Sequence, residues 1–425
     1  MPARRSRIQA PNPVTKQVDG AGQSVRSLLT AYLASLTLII AVAVVGGIVV
    51  LRDLGPDDAV GAAADRHGYS LASWEMRHLP HKWIYEVRHL FDGRSDDEDE
   101  MVLSRYFSLA EEIRALQQDS GASFKLDEVR RQRAKLKGEV EDIIEGRVTA
   151  VLEDQGLALR PPLFHDLGLI LPAVDFELDT PPRVLAVSPR DRIELDRSYL
   201  LDAGLDLETL TEIEQEIEAG VSGVSALVVG TSGVATYPSV VSELASYESL
   251  VDTVFHEWLH QYLIFFPLGS GYASSSAART LNESVANIAG HELARLYFER
   301  YGVLGEQAGL KPAPARTAAD GFDFTKGMRE LRRRVEALLA GGRIEQAEAL
   351  MNEKRNDFEA QGFYIRRLNQ AYFAFQGSYA DTPGSIDPIG PKLQTLLERG
   401  GSPGEFVRLA AGITSEAELD SLLGE

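Results

Sequence analysis

Thr253-Val254-Phe255-His256-Glu257-Trp258-Leu259-His260-Gln261 is the stretch on which the reading of this chain turns. His256 and His260 are four residues apart, so in a helix both imidazoles leave one face and can meet at a single point. Glu257 stands on the flank of that face, where its carboxylate can take a proton from a metal-bound water. Trp258 and Leu259 fill the remaining positions, and apolar residues there indicate a buried helix. An uncompensated cluster of two His and a Glu inside a core is expensive, so the pattern points to a metal site.

A catalytic zinc site needs a third protein ligand and one open position. The chain has no Cys, so the ligands must come from Asp, Glu and only eight His. The position ten residues after His256 is Phe266, which excludes the extended His spacing of the metzincins. The next helix carries Leu281-Asn282-Glu283-Ser284-Val285-Ala286-Asn287, and Glu283 is the candidate third ligand.

With these two motifs the sequence resembles the gluzincins, the thermolysin- and aminopeptidase-like zinc peptidases, over residues 226–300. The resemblance implies a zincin-like core and one Zn2+ per chain, held by His256, His260 and Glu283. It also implies a peptide or protein substrate and Glu257 as general base: a metalloprotease, a hydrolase acting on peptide bonds. Thermolysin-like enzymes place an Asp four residues after the ligand Glu to orient an imidazole; here that position is Asn287. Asp252, one turn before His256, can supply the missing charge.

Further candidates follow. His291 lies two turns beyond Glu283 and is read either as an oxyanion stabiliser or as an ordinary surface or core His. Val234-Ala235-Thr236-Tyr237-Pro238 reads as an edge strand. In gluzincins such a strand binds the substrate backbone, which makes Ala235 and Tyr237 candidate substrate contacts. Downstream, Asn369 and Tyr372 are candidate substrate contacts and Tyr379 a candidate electrophile for the tetrahedral intermediate. Core packing of aromatics at helical spacing is the competing reading there. His67, His78, His81 and His89 are read as a solvated or membrane-facing helix surface, with a second metal site as the alternative.

Outward from the motif, residues 28–51 read LLTAYLASLTLIIAVAVVGGIVVL, without a charge. At about 1.5 Å per residue such a helix spans a hydrocarbon core of about 30 Å. Arg4, Arg5, Arg7, Lys16 and Arg26 precede it against Asp19, whereas Arg52, Asp53, Asp57 and Asp58 follow. The positive-inside rule then predicts a single-pass protein of the cell membrane, with a cytoplasmic N-terminus and an extracytoplasmic catalytic domain. A cleaved signal peptide competes, but its apolar core runs only about 7–15 residues.

The whole chain has 425 residues and a formal net charge of −20, from 43 Lys+Arg against 63 Asp+Glu. That acidity repels phosphate and excludes non-specific nucleic-acid binding. The absence of Cys excludes disulfides, iron–sulfur clusters and thiol nucleophiles.

The predicted fold class is α+β. A cytoplasmic tail (1–27) and a transmembrane signal anchor (28–51) lead into a helical membrane-proximal region (52–156). A zincin-like core (157–310) follows, with a small β-sheet and the two ligand helices, and then a C-terminal helical lobe (311–425). Helices are predicted over 69–91, 98–118, 126–155, 208–219, 243–266, 280–300, 324–339, 344–360 and 362–375, with two short ones closing the chain. Strands are predicted over 169–176, 183–187 and 192–195, with two strands and a turn in 221–241. Pro238 suits an edge position there. Two other functions fit the same residues: a non-catalytic, zinc-stabilised membrane receptor or scaffold, and an intramembrane site-2-type protease. The oligomeric state is not legible.

Overall fold

The computed structural model describes residues 59–71, 73–74, 95–117, 123–157, 170, 172–304, 322–380 and 382–424. The predicted anchor at 28–51, the tail before it, most of the helix predicted at 69–91 with His78, His81 and His89, and residues 305–321 lie outside the described residues. Among the described residues no helix is long and apolar enough to cross a membrane. The predicted class is corrected accordingly. In place of a membrane helix followed by a core with one small sheet, the described chain is mostly helical around two separate three-stranded sheets.

The first sheet runs in the order β3-β2-β4, all antiparallel, from β2 (Arg183–Pro189), β3 (Arg197–Leu201) and β4 (Val224–Gly230). Its residues alternate between two covered faces, as the pleat requires. Leu185, Val187, Ala226 and Val228 pack with Leu210, Ile213 and Ile217 of α4 (Leu207–Gly220), and with Val60, Ala63 and Ala64 of α1 (Ala59–Asp65). Ala186 and Leu227 point the other way, onto Ala371 of α10 (Gln370–Gln376).

The second sheet has the order β1-β6-β5, with β1 (Phe176–Asp179) parallel to β6 (Ser239–Ser242), and β6 antiparallel to β5 (Gly233–Val234). Residues 221–241 therefore do form strands, but β4 does not pair with the strand that follows it: β4 joins one sheet, while β5 and β6 pair across a short turn in the other. The physical reason is that the outer edge of β4 is already taken. The amides of Val228 and Ala226 donate to Glu214 (2.7 Å) and Glu218 (2.9 Å) of α4. The carbonyls of the same residues accept from Arg366 (2.8 Å) and from the Asn369 side chain (2.9 Å). Pro238 precedes the central strand β6 rather than lying in the edge strand, which is β5. It needs no donor because the ladder opens one residue later, with Ser239 N–H on the Asp175 carbonyl at 2.9 Å.

The strand predicted at 192–195 is irregular chain, tied back by Ser188, whose hydroxyl donates to the Arg192 carbonyl (3.3 Å) and accepts from the Glu194 amide (3.3 Å). The first strand begins only at Phe176. The helix predicted over 362–375 shrinks to Gln370–Gln376, because Arg366, Arg367 and Asn369 are spent on α4 and the β4 edge. Gly362, at φ +89°, starts that irregular stretch.

The remaining helices follow the pattern. They are α2 (Asp96–Gln117), α3 (Ser123–Asp154), α5 (Tyr247–Leu263), the short α6 (Pro267–Ser270) and α7 (Ser276–Tyr301). Then come the amphipathic pair α8 (Phe324–Ala340) and α9 (Ile344–Ala360), and three closing helices instead of two: α11 (Ile389–Gly400), α12 (Pro403–Ala410) and α13 (Glu416–Leu423). One apolar cluster joins α3 (Ile144, Leu152), α5 (Phe255, Leu259), α7 (Val285, Tyr297) and the closing helices (Leu393, Phe406, Leu419). The two motif helices thus stand in the middle of the largest core, and neither can turn without repacking it.

Candidate metal centre

α5 starts at Ser246, whose hydroxyl accepts from the Ser249 amide (3.2 Å), and α7 starts at Ser275, which accepts from Ala278 (3.0 Å). Such side-chain caps satisfy amides that the first turn leaves open, and so fix where each helix begins. The apolar residues of α5, Val251, Val254, Phe255, Trp258 and Leu259, are buried. Trp258 is pinned further by its indole N–H on the Pro172 carbonyl at 2.9 Å. Where α7 crosses α5 it presents Gly290. A methyl group there would touch the His256 backbone at 3.4 Å, so the two helices run in close contact.

This crossing brings His256, His260 and Glu283 to one point. The two imidazole Nε2 atoms are 3.0 Å apart, and Glu283 Oε2 lies 3.5 Å from His256 Nε2 and 3.4 Å from His260 Nε2. Zinc–ligand distances of about 2.0–2.2 Å in a tetrahedron put donor atoms about 3.3–3.6 Å apart. The observed triangle is close to that size. Glu283 Oε2 is buried and has no well-formed hydrogen bond among the described residues, an arrangement that a cation completes. Its other oxygen, Oε1, accepts from the Tyr272 hydroxyl at 2.6 Å.

The electrostatics match. Burial would lower the His260 imidazole, but the Glu283 carboxylate more than reverses this, with help from Glu257 and Asn282, and pushes it up to about 9. Burial would raise Glu283, yet His260 and His256 hold it well below the usual carboxylate range. Both shifts favour a protonated His260 beside an ionised Glu283. Glu257, the neighbour of His256, is raised by burial against the pull of both histidines. It is buried, and a methyl at Gly233 of β5 would lie 2.7 Å from its Oε1. So β5, the edge of the second sheet, passes directly beside this carboxylate.

The other predicted residues divide. Tyr379 stands at the centre: its ring is 6.2 Å from that of His256, and burial first, then Glu283, raises its hydroxyl well above the ordinary value. Its segment is tied down twice, by the Ala380 amide on Ser284 Oγ (3.0 Å) and by Arg332, which donates to the carbonyls of Phe373 (2.8 Å) and Gly384 (3.0 Å). Ala235 is exposed and Tyr237 half-buried in the turn between β5 and β6. Gln261, which follows His260, holds that turn through the Thr236 carbonyl and, at 2.8 Å, Ser239 Oγ.

His291 is exposed on α7, 3.5 Å from Asp252 and 3.0 Å from the Asn287 carbonyl of its own helix, and is not part of the His–His–Glu triangle. Asn369 and Tyr372 both have partners within the fold. Asn369 caps α10 by accepting from the Tyr372 amide (3.0 Å) and donates to β4, while the Tyr372 ring packs among apolar residues between that sheet and α8–α9.

The residue that sequence reasoning missed is Tyr272, in the linker between the motif helices. An aromatic ring amid Gly, Ser and Ala, in a loop too short to leave the site, was the available signal. No family model matches the chain, and neither a curated protein nor a solved structure matches it.

Proposed function

We propose that this chain is a zinc-dependent peptidase whose centre is His256, His260 and Glu283, with Glu257 as general base. The observation that carries the reading is the convergence of two Nε2 atoms and one otherwise unsatisfied carboxylate oxygen at 3.0–3.5 Å, beside a second buried carboxylate. Zinc in such a site polarises a carbonyl and lowers the pKa of water towards about 7.

Each residue has a task. Glu257, its affinity for a proton raised by burial, takes one from the attacking water as the new C–O bond forms. It returns that proton to the amine nitrogen as the C–N bond breaks. The Tyr379 hydroxyl, kept protonated by burial, is the donor for the oxygen that carries the developing charge. The free edge of β5, next to Glu257, suits an extended peptide added as a further strand.

The test is direct. Purified protein should contain about one zinc per chain, and Glu283→Ala should lose it. A peptide library should be cleaved by the wild type and not by Glu257→Gln, which should keep its zinc. Zinc without cleavage of any peptide would leave the non-catalytic reading standing, and no zinc in either protein would end the metal reading altogether.

A further inference from the structure

We infer that Tyr272 is a positioning residue that holds Glu283 as a one-oxygen ligand; the inference rests on the metal reading above. The two oxygens of Glu283 have different surroundings. Oε1 accepts from the Tyr272 hydroxyl at 2.6 Å, while Oε2 faces the two histidines at 3.4 and 3.5 Å. A carboxylate that offered both oxygens to one cation would have to turn Oε1 away from the tyrosine. The hydroxyl opposes that turn and so would leave one more position free on a bound zinc, as a catalytic site requires and a closed structural one does not.

The loop around Tyr272 is built to hold the hydroxyl still. It leaves α5 and returns to α7 within a dozen residues, and it is anchored on both sides of Leu268. Leu268 donates its amide to the carbonyl of Ala411, the residue that follows α12 (3.1 Å), and its own carbonyl accepts from the side chain of Asn282 (3.3 Å), the residue before Glu283. The Tyr272 amide closes a turn on Gly269 at 3.1 Å. The ring stands edge-on to His260 with centroids 6.2 Å apart, and the Arg279 guanidinium lies 5.7 Å over its face. One side chain thus touches two of the three ligands, from a segment that belongs to neither motif.

Tyr272→Phe in the full-length chain tests this, because it removes one oxygen and leaves the ring. Zinc affinity, measured by competition with a chromophoric chelator, should fall about 10–100-fold. In the cobalt-substituted protein the visible absorption should weaken, as Glu283 becomes free to offer both oxygens and the coordination number rises. Affinity within about twofold of wild type together with an unchanged cobalt spectrum would overturn the inference while leaving the metal centre intact. A wild type that takes up neither metal would instead overturn the centre itself. Should Tyr272→Phe not fold, Tyr272→Gln, which keeps a donor, is read in the same two measurements. It should fall between wild type and the 10–100-fold loss expected on removing a supporting hydrogen bond, and wild-type behaviour in both would again overturn the inference.

Discussion

Glu141 and Glu214 along the two sheets, and Glu257 and Glu283 at the crossing of α5 and α7, are all at least nine-tenths buried, with exposures of 5, 1, 7 and 7%. Their surroundings are nonetheless unlike. On α3, Glu141 and Glu145 accept from the amides of Leu178 (2.7 Å) and Phe176 (2.9 Å). On α4, Glu214 and Glu218 do the same for Val228 and Ala226, and Arg366 and Arg367 face them. The spacing is no accident: four residues of helix advance about 6.0 Å and two residues of strand about 6.6 Å, so a Glu-x-x-x-Glu face matches alternate amides of a strand edge. Each of those carboxylates has donors in place. At the helix crossing, by contrast, Glu283 keeps one oxygen without a proper donor, and Glu257 is pushed towards its protonated form. The acids along the sheet edges are matched to donors, whereas at the helix crossing Glu283 is left one donor short.

That contrast can be broken by experiment. The largest effect is expected at Glu257→Gln: peptide hydrolysis should fall about 10²–10⁴-fold while zinc content and folding stability hold or improve, because burial already works against the charge there. A loss of stability as great as that of the sheet variants would erase the distinction. Next comes Glu214→Ala, which strands Arg366 and Arg367 beside a vacated acceptor. Urea unfolding should show a loss of about 3–5 kcal/mol, with zinc per folded chain unchanged. Glu141→Ala should cost about 1–3 kcal/mol, since it leaves the Leu178 amide unpaired. Equal losses in these two variants would mean that the arginines add nothing.

The smallest effect concerns protons. With the His260 imidazole raised to about 9 in the metal-free fold, against about 6.5 when unfolded, its contribution is fully present below pH about 6.5 and disappears as pH rises through 9. The Tm of metal-free protein relative to His260→Ala should therefore decline over that window. At pH 7.5, zinc binding should release about one proton per chain, as calorimetry in buffers of different ionisation enthalpy would register. A Tm difference that stays level from pH 6.5 to 9 would show that the Glu283–His260 pair holds no such proton.

What could be read in advance and what could not divides along the same line. The His256–His260 interval on α5 is local, four residues on one helix, and Glu283 sits in a recognisable Asn-Glu pair on the next, so the meeting of these three side chains was legible. The fate of β4 was not. Its edge is occupied by Glu214 and Glu218 from the preceding helix and by Arg366 and Asn369 from far downstream, and no local pattern announces that a strand will pair with side chains instead of a strand. Asn369 and Tyr372 show a related ambiguity, since a polar residue before an aromatic helix serves equally as a cap and as a contact for a ligand. Tyr272 was hidden because its role depends on where a loop is folded back.

Gly233 carries a consequence of its own. The backbone of β5 comes so near to Glu257 that one added carbon would stand 2.7 Å from its Oε1 and 2.7 Å from Thr253 Cγ2. Gly233→Ala would therefore displace the proposed base from the sheet side and leave all three ligands in place. On the proposed function, base and metal site are therefore separable: a single small exchange, outside both motifs, would remove hydrolysis and keep metal binding, and inspection of the motifs alone would not reveal it.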